Sequence, residues 1–390
     1  MKKQETLPEI TALSGMRGFA ALWVFIYHFW ALQVATPVVI SFFGVYVDIS
    51  WCFTFGWLGV PIFFVLSGFL LAQPFVRQFD APAGSKVCIR AYLIRRCMRV
   101  FPAYYFQLAV LVMLAYFFQF GEYPRGAASW FAHLTMTFFS PPYFIAGING
   151  SWWTLPVEFG FYLLLPMLAV LLKPQRWILL ILFCFGTMLS YRYLIYSVYL
   201  GTDVPLYTRI SLLPGVMDSF GLGMLSAYCV QHVRVKPIFE SWAANAATFT
   251  MLLGYGIAML LIYHFWMYYW SGGWMSYAYT PLFSAAIACG VFGAARGSSW
   301  AQLIFGNQVM RFFGNISYSL YLWHLPLLGA LKLFPELQEV AAHRHAFSLA
   351  ICTFILVAIS WMSWRFVELP GIALGKRLSR FQSSAKAQCH

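Results

Sequence analysis

Arg17 and His28 stand 11 residues apart in a segment, residues 13–33, that is otherwise apolar. As a helix, that segment would put both on one face, roughly 16 Å apart along its axis. The two cannot touch, so they would serve two depths of one internal channel, a cation at one and a proton acceptor at the other. The bland alternatives are an arginine snorkelling to the inner headgroups and a core histidine bonded to a neighbouring helix. Glu158 closes the run Gly150-Ser151-Trp152-Trp153-Thr154-Leu155-Pro156-Val157-Glu158, about two turns inside the next apolar segment and near the depth of His28. A carboxylate there needs a partner; His28, Arg192 and Arg209 are candidates. Arg90, Arg95, Arg96 and Arg99 recur at helical spacing before Pro102. They suit either an amphipathic helix on anionic lipid or a cytosolic clamp for a polyphosphate, whose geometry a guanidinium fork matches. Asp218 and His324 fall near mid-depth of two further apolar segments, and charge inside a membrane is costly and usually functional. Trp152, Trp153, Asp218 and His324 complete the candidate set as substrate-contacting residues.

The elements that must position these side chains are membrane helices. Of 390 residues, 61% are hydrophobic, 20% aromatic and only 9% charged, and the mean hydropathy is +0.71. Soluble domains carry about 25% charge, so composition excludes a soluble globular, disordered or coiled-coil protein. The fold class expected is all-α, a polytopic integral membrane protein. The net charge of +13 fits cationic loops on one side of a bilayer. No Lys/Arg tract interleaved with exposed aromatics suggests nucleic acid. The eight cysteines form no Cys-x-x-Cys pair, so no zinc site or disulfide framework is expected. The first apolar segment has no small-residue cleavage site and reads as a retained helix rather than a signal peptide.

A span needs about 20 mostly apolar residues. About ten are expected, near 13–33, 54–74, 102–120, 152–172, 177–197, 209–230, 243–263, 275–294, 315–334 and 346–366. Alternate loops hold Lys2 and Lys3; Arg77, Lys86, Arg90, Arg95, Arg96 and Arg99; Lys173 and Arg176; Arg234 and Lys236; Arg296 and Arg311; then Arg365, Lys376, Arg377, Arg380 and Lys386. The intervening loops hold Arg125 and Arg344 and most of the acids, Asp48, Glu122, Asp203, Glu336 and Glu339. The asymmetry puts both termini in the cytoplasm. Residues 1–390 are expected to form one transmembrane domain without internal repeats. Within it, 77–101 is a basic cytoplasmic segment and 367–390 a mobile cytoplasmic tail, too short to fold alone.

Taken in order, these segments resemble the acyltransferase-3 family of membrane acyltransferases. The resemblance runs through Leu13-Ser14-Gly15-Met16-Arg17-Gly18-Phe19-Ala20-Ala21 to Tyr27-His28, Gly59-Val60-Pro61-Ile62-Phe63-Phe64-Val65-Leu66-Ser67-Gly68-Phe69, Arg95-Arg96-Cys97-Met98-Arg99 with Pro102, and Trp153-Thr154-Leu155-Pro156-Val157-Glu158 with Phe161-Tyr162. It ends in Ile316-Ser317-Tyr318-Ser319-Leu320-Tyr321-Leu322-Trp323-His324 and Phe366-Val367-Glu368-Leu369-Pro370. The resemblance implies a ten-helix core in a bacterial inner (plasma) membrane. Such a core takes an acyl group, commonly acetyl, from cytosolic acyl-CoA. It passes the group to a hydroxyl of a carbohydrate, a lipid-linked glycan or another small acceptor, often on the outer side. Acyl-CoA is then a co-substrate, and no metal is implied. By the same carry-over His28 matches the catalytic histidine, Arg17 the arginine paired with it, and Arg96 with Arg99 the Arg-x-x-Arg associated with acyl-CoA. The chain departs from the family where many relatives carry Asp and it has Pro61, and it shows no segment for the extracytoplasmic hydrolase-like domain many of them carry.

Depths and resemblance combine into one scheme. Arg95, Arg96 and Arg99 hold the CoA phosphates, and the pantetheine arm threads past Arg17. Neutral His28 removes the proton of the acceptor hydroxyl, and Glu158 orients His28 as an acid orients histidine in hydrolase triads. A relay through an acylated His28 is the variant. The competing class is a transporter or flippase of an acylated or anionic solute. A non-catalytic scaffold leaves the intramembrane charges unexplained.

Overall fold

The structure, a computed structural model, describes residues 10–34, 37–80, 86–138, 145–203, 206–331 and 345–387, with the side chains of 42, 47 and 381–387 outside the description. Lys2, Lys3, Glu336, Glu339 and Arg344, which entered the orientation argument, lie outside the described residues, as does the Lys386 side chain.

The described chain is almost wholly helical. In order come α1 (Thr11–Phe29), a two-stranded hairpin of β1 (Val39–Phe42) and β2 (Val45–Asp48), α2 (Ser50–Thr54), α3 (Gly59–Arg77), α4 (Ile89–Phe118), α5 (Gly126–Thr135), α6 (Thr154–Leu168) and α7 (Trp177–Tyr199). Then follow α8 (Leu206–Ile210), α9 (Met217–His232), α10 (Pro237–Trp270), α11 (Trp274–Ala295), α12 (Ser299–Phe305), α13 (Gln308–Ala330), α14 (His345–Ser363) and α15 (Leu369–Ala387). Among the described residues, seven helical stretches are long and apolar enough to cross a membrane: Ser50–Arg77, Ile89–Phe118, Gly150–Leu172, Trp177–Tyr199, Pro237–Trp270, Trp274–Ala295 and His345–Arg380. The other three expected spans are helical over most of their described residues, as α1, as α9 with the turn Leu213–Val216 before it, and as α13. Each carries polar side chains that lower its hydropathy: Arg17 and His28 on α1, Asp218 on α9, and Asn315, Ser317, Ser319 and His324 on α13. Helices α3, α4 and α6 also contribute site residues and are still long and apolar enough to cross.

Three local expectations need correction. The all-α reading missed the hairpin, whose turn puts Phe43 and Gly44 at positive φ and pairs Val39 with Asp48. The basic segment is no separate helix, because Arg90 to Arg99 form the first turns of α4 and continue through Pro102. The tail is not loose where described. It continues from α14 through a π-turn, Trp364–Glu368, into α15, which packs on α4. Gly371 and Gly375 make that fit, since a Cβ on either would lie 2.7 Å from Met98.

Small residues bring the inner helices together. With no apolar driving force between helices in lipid, close backbone approach supplies the packing. A Cβ on Gly15 would sit 1.7 Å from the Phe305 carbonyl oxygen, one on Gly18 2.4 Å from that of Met310, and one on Gly314 2.0 Å from that of Ser14. These glycines lock α1 against α12 and α13. Gly68 and Gly223 do the same for α3 and α9, each within 2.3 Å of the facing carbonyl oxygen. The inner helices are therefore the buried ones. The Ser50–Arg77 stretch is 72% buried, whereas Trp177–Tyr199 and Pro237–Trp270 are each 28% buried and turn large apolar side chains outward. Replacing Gly314 by leucine is expected to part α1 from α13 and to destabilise the fold by about 3 kcal/mol. A thermal melt in detergent checks this. An unchanged melting temperature contradicts the close crossing.

Candidate active site

Two cavities lie among the inner helices. The first, of about 110 Å³, is lined by Arg17 of α1, Ser67 of α3, Arg96 and Arg99 of α4, Glu158 and Tyr162 of α6, and Ser317 and Tyr318 of α13. The second, of about 690 Å³, is lined by His28, Trp57, Ser151, Trp153, Arg192 and a ring of further aromatic side chains. Val60, Phe64 and Tyr321 line both, so the cavities meet at these three residues. The shared helix α1 presents Arg17 to one chamber and His28 to the other, as three turns of spacing require.

The first chamber is an intramembrane charge cluster. Arg96 and Arg99, one turn apart on α4, reach it together. The Nε of Arg96 is buried without a hydrogen-bond partner, and its guanidinium lies 5.9 Å over the Tyr92 ring. Arg17 interacts electrostatically with Arg99, Glu158 and Glu368. Glu368, 1% exposed, comes in from the π-turn and accepts a hydrogen bond from Ser319 at 3.1 Å. Three guanidinium groups face two carboxylates, which leaves a net positive charge beside a cavity, the setting an anion seeks. Arg95 does not line this cavity. Its neighbour Arg96 does, and one residue on a helix is about 100° of rotation.

Glu158 accepts a hydrogen bond from Ser67 at 3.0 Å and belongs to this arginine chamber, not to the His28 chamber. The expectation that it orients His28 is therefore corrected, and so is its pairing with Arg192 or Arg209. Its partners come from α1, α3 and α4 and from Tyr162 of its own helix, and they set it with Arg17 rather than with His28.

His28 has a different neighbour. Its Nδ1 lies 2.9 Å from the Val24 carbonyl oxygen and 3.3 Å from Nε2 of His324. The Nδ1 of His324 lies 2.6 Å from the Tyr321 carbonyl oxygen. A carbonyl only accepts, so each Nδ1 carries the proton. The Nε2 of His324 is then a lone pair that accepts from His28, and the Nε2 of His28 is the free basic nitrogen on the chamber side. The two rings stand 4.9 Å apart. His324 is fully buried and lines neither cavity. It backs the His28 imidazole, so the structure does not place it among the chamber-lining residues, where the sequence reading expects a substrate contact.

The wall between the chambers is also tied down. The Tyr321 hydroxyl donates to the Ser151 carbonyl oxygen at 2.7 Å and accepts from Thr154 at 3.0 Å, and its ring packs edge-on to Phe63. Trp153 lines the His28 chamber. Trp152 does not: it is fully buried, and its indole donates to Gln107 at 2.8 Å. Gln107 in turn donates to the Leu322 carbonyl oxygen. Trp152 thus anchors α4 and α6 to α13. Asp218 is likewise outside both cavities. It is fully buried on α9, and neither carboxylate oxygen has a hydrogen-bond partner. Substrate contact by Trp152 or Asp218 is not what this geometry offers.

Residues the sequence reading passed over complete the site. Ser67, Tyr162, Tyr318, Tyr321 and Glu368 lie inside the motifs quoted above. What hid them was the lack of any signal for which helix faces meet. Arg192 lines the second chamber, where it donates to the carbonyl oxygens of Gly215 at 2.9 Å and Ser276 at 2.5 Å and to the Thr280 hydroxyl at 3.2 Å. Among the described residues, no group of three or more His, Cys, Asp or Glu side chains converges to hold a metal.

An arginine cluster and an imidazole in adjoining cavities of a helical membrane chain suit a membrane acyl-transfer class of protein. Residues 10–364 match the family model of that class, described as an acyltransferase domain, and the chain belongs to this family, acyltransferase-3. It is 23% identical over 407 aligned positions to an O-acetyltransferase OatA of Staphylococcus aureus, covering 97% of this chain and 60% of that protein. It is 24% identical over 389 positions to the peptidoglycan O-acetyltransferase OatA of Listeria monocytogenes, covering 93% of this chain and 55% of that protein. The chain thus spans somewhat over half the length of these curated relatives. No solved structure matches it.

Proposed function

We propose that this protein is a membrane-bound O-acyltransferase that moves an acyl group, acetyl in the first instance, from cytosolic acyl-CoA to a hydroxyl of a carbohydrate or related acceptor on the extracytoplasmic side of a bacterial inner membrane. The observation that carries the reading is the junction of the two chambers at Val60, Phe64 and Tyr321, with guanidinium groups at one end and a free imidazole nitrogen at the other. Ten helices cross the bilayer in this reading, and both termini lie in the cytoplasm. The alternation of basic loops such as Lys173/Arg176, Arg234/Lys236 and Arg296/Arg311 supports that orientation.

The chemistry follows from the named atoms. Arg96, Arg99 and Arg17 hold the CoA phosphates at the cytosolic end, and the slender pantetheine arm passes the Tyr321 wall. The Nε2 of His28 takes the acceptor hydroxyl proton while that oxygen bonds to the thioester carbonyl carbon. The carbon–sulfur bond then breaks, and the CoA thiolate leaves with the proton returned by His28. His324 and Val24 hold His28 in the tautomer this requires. Glu158 and Glu368 keep the three arginines apart and oriented in the absence of donor.

Loss of one clamp arginine tests the lower end. Arg96→Ala is expected to weaken acetyl-CoA binding about tenfold or more and to make the remainder more sensitive to salt, as read by calorimetry on the purified protein. Unchanged affinity returns this segment to a lipid-contact role. The transfer reading as a whole is tested by acetyl-CoA turnover in detergent, where an enzyme works and a transporter has no gradient. It is tested again by mass spectrometry of cell-surface glycans with and without the gene. Loss of O-acetyl groups from one glycan is the expected result. No turnover with any extracted acceptor, together with unaltered glycans, overturns it.

A further inference from the structure

The His28 chamber also carries information about the acceptor, granted the transfer reading. Six tryptophans line it, Trp30, Trp51, Trp57, Trp153, Trp266 and Trp270, and among the described residues no carboxylate does. Its one guanidinium, Arg192, is 1% exposed and already gives its hydrogen bonds to Gly215, Ser276 and Thr280. An anionic acceptor would therefore bury its charge without an available cation, which costs several kcal/mol. A cationic acceptor could use the aromatic faces, but it would meet Arg192 and no balancing acid. An uncharged molecule avoids both costs. Ser50, Thr54, Ser151 and Ser211 line the cavity among the indoles, the first three with hydroxyls that already bond within the protein and keep only spare acceptor or donor capacity for a ligand. Flat apolar faces interspersed with hydroxyls match a sugar ring, which has apolar C–H faces and a polar rim.

The mouth adds a second property. Tyr263 and Trp266, near the end of α10, are 52% and 51% exposed and line the same cavity. Half-exposed Tyr and Trp at a helix end mark the level of the headgroups. A ligand entering there comes from the membrane interface rather than from bulk water. A cavity of about 690 Å³ falls within the range that encloses small, drug-sized ligands.

We infer that the acceptor is an uncharged glycoside bearing an apolar aglycone, taken up from the outer interface and stacked on the tryptophans of this chamber. The probe is tritiated hexyl β-D-glucoside, used below its micelle concentration. Its binding to the purified protein in neutral-lipid nanodiscs is read by scintillation proximity, with empty nanodiscs subtracted. Hexyl β-D-glucuronide and free glucose serve as competitors, and no donor is present. The glucoside is expected to bind saturably, and each competitor to displace it at a concentration at least about tenfold higher than unlabelled glucoside requires. Trp266→Ala is expected to weaken binding about tenfold. Trp266→Phe, which keeps an aromatic face, is expected to restore most of it and guards against a merely misfolded variant. Glucuronide competing as well as glucoside overturns the uncharged class, and glucose competing as well overturns the role of the aglycone. Binding unaffected by either Trp266 variant overturns the location. Because donor is absent, this binding is read independently of transfer; saturable glucoside binding together with no acyl transfer in a separate assay supplied with acetyl-CoA would sink the transfer reading and leave this ligand class standing. Acyl-CoA turnover with no preference for the glucoside sinks this inference alone.

Discussion

Purified His28→Ala protein is expected to transfer acyl groups about a thousandfold more slowly than the parent while remaining monodisperse in detergent. The size of the loss follows from what the side chain supplies. An alcohol is a poor nucleophile until a base takes its proton, and general-base catalysis contributes about 10² to 10⁴ in rate. Among the ionisable residues of the larger chamber, His28 is the one with a basic nitrogen left free. Arg192 is a cation, and among the described residues no carboxylate lines the chamber. No neighbour can therefore replace the imidazole. The measurement is thiol release from acetyl-CoA in the presence of acceptor, with donor affinity read separately. Donor affinity should be nearly unchanged, because the phosphates are held at Arg96, Arg99 and Arg17, the last of them roughly 16 Å from His28 along α1. Normal turnover by the variant removes His28 from the chemistry.

The second large effect is expected at His324, which lines neither chamber. Its Nε2 accepts from the Nδ1 of His28 at 3.3 Å, and its own Nδ1 is fixed by the Tyr321 carbonyl at 2.6 Å. Losing the group that fixes a catalytic tautomer costs up to about 10⁴ in triad hydrolases. Here the Val24 carbonyl remains at 2.9 Å from His28. His324→Ala is therefore expected to lower kcat roughly a hundredfold with little change in KM for acyl-CoA. His324→Gln, whose amide oxygen can accept from Nδ1 of His28, is expected to recover much of the rate. A purely structural role would lower stability and both kinetic constants together, and glutamine would bring no selective recovery of kcat. Equal activity of the alanine and glutamine variants, at either a high or a low level, contradicts the positioning role.

The charged residues that line the two chambers were largely legible in the sequence, and their company was not. Arg17, His28, Arg96, Arg99 and Glu158 stand out because charge in an apolar run is expensive, and spacing along one helix gives their relative depth. The separation of Arg17 from His28 into two chambers follows from that spacing alone. Which residues meet across helices depends on rotation about each axis. That rotation is set by close contacts at Gly15, Gly18, Gly314, Gly68 and Gly223, which hydropathy does not register. The sequence places Glu158 near the depth of His28, and both depth and face differ: it stands beside Ser67 in the chamber of Arg17, because hydropathy alone does not fix how far α6 is shifted along its axis. His324 read as a minor candidate, since a lone buried histidine is ambiguous until its partner is seen. Trp152 and Trp153 are adjacent in the chain yet point to different places, one into the packing around Gln107 and the other into the chamber. The helical tail was read as mobile because basic, polar sequence carries no sign of the groove on α4 that receives Gly371 and Gly375.

The central claim is that a thioester held from below reaches the imidazole. A structure of the protein with an acetyl-CoA analogue whose thioester sulfur is replaced by a methylene group, so that it cannot react, tests this most directly. The expected result is a pantetheine arm running from Arg96 and Arg99 past Val60, Phe64 and Tyr321, with its terminal carbonyl close to the Nε2 of His28. An analogue whose acyl end stops among the arginines, with Tyr321 closed between it and His28, contradicts the account.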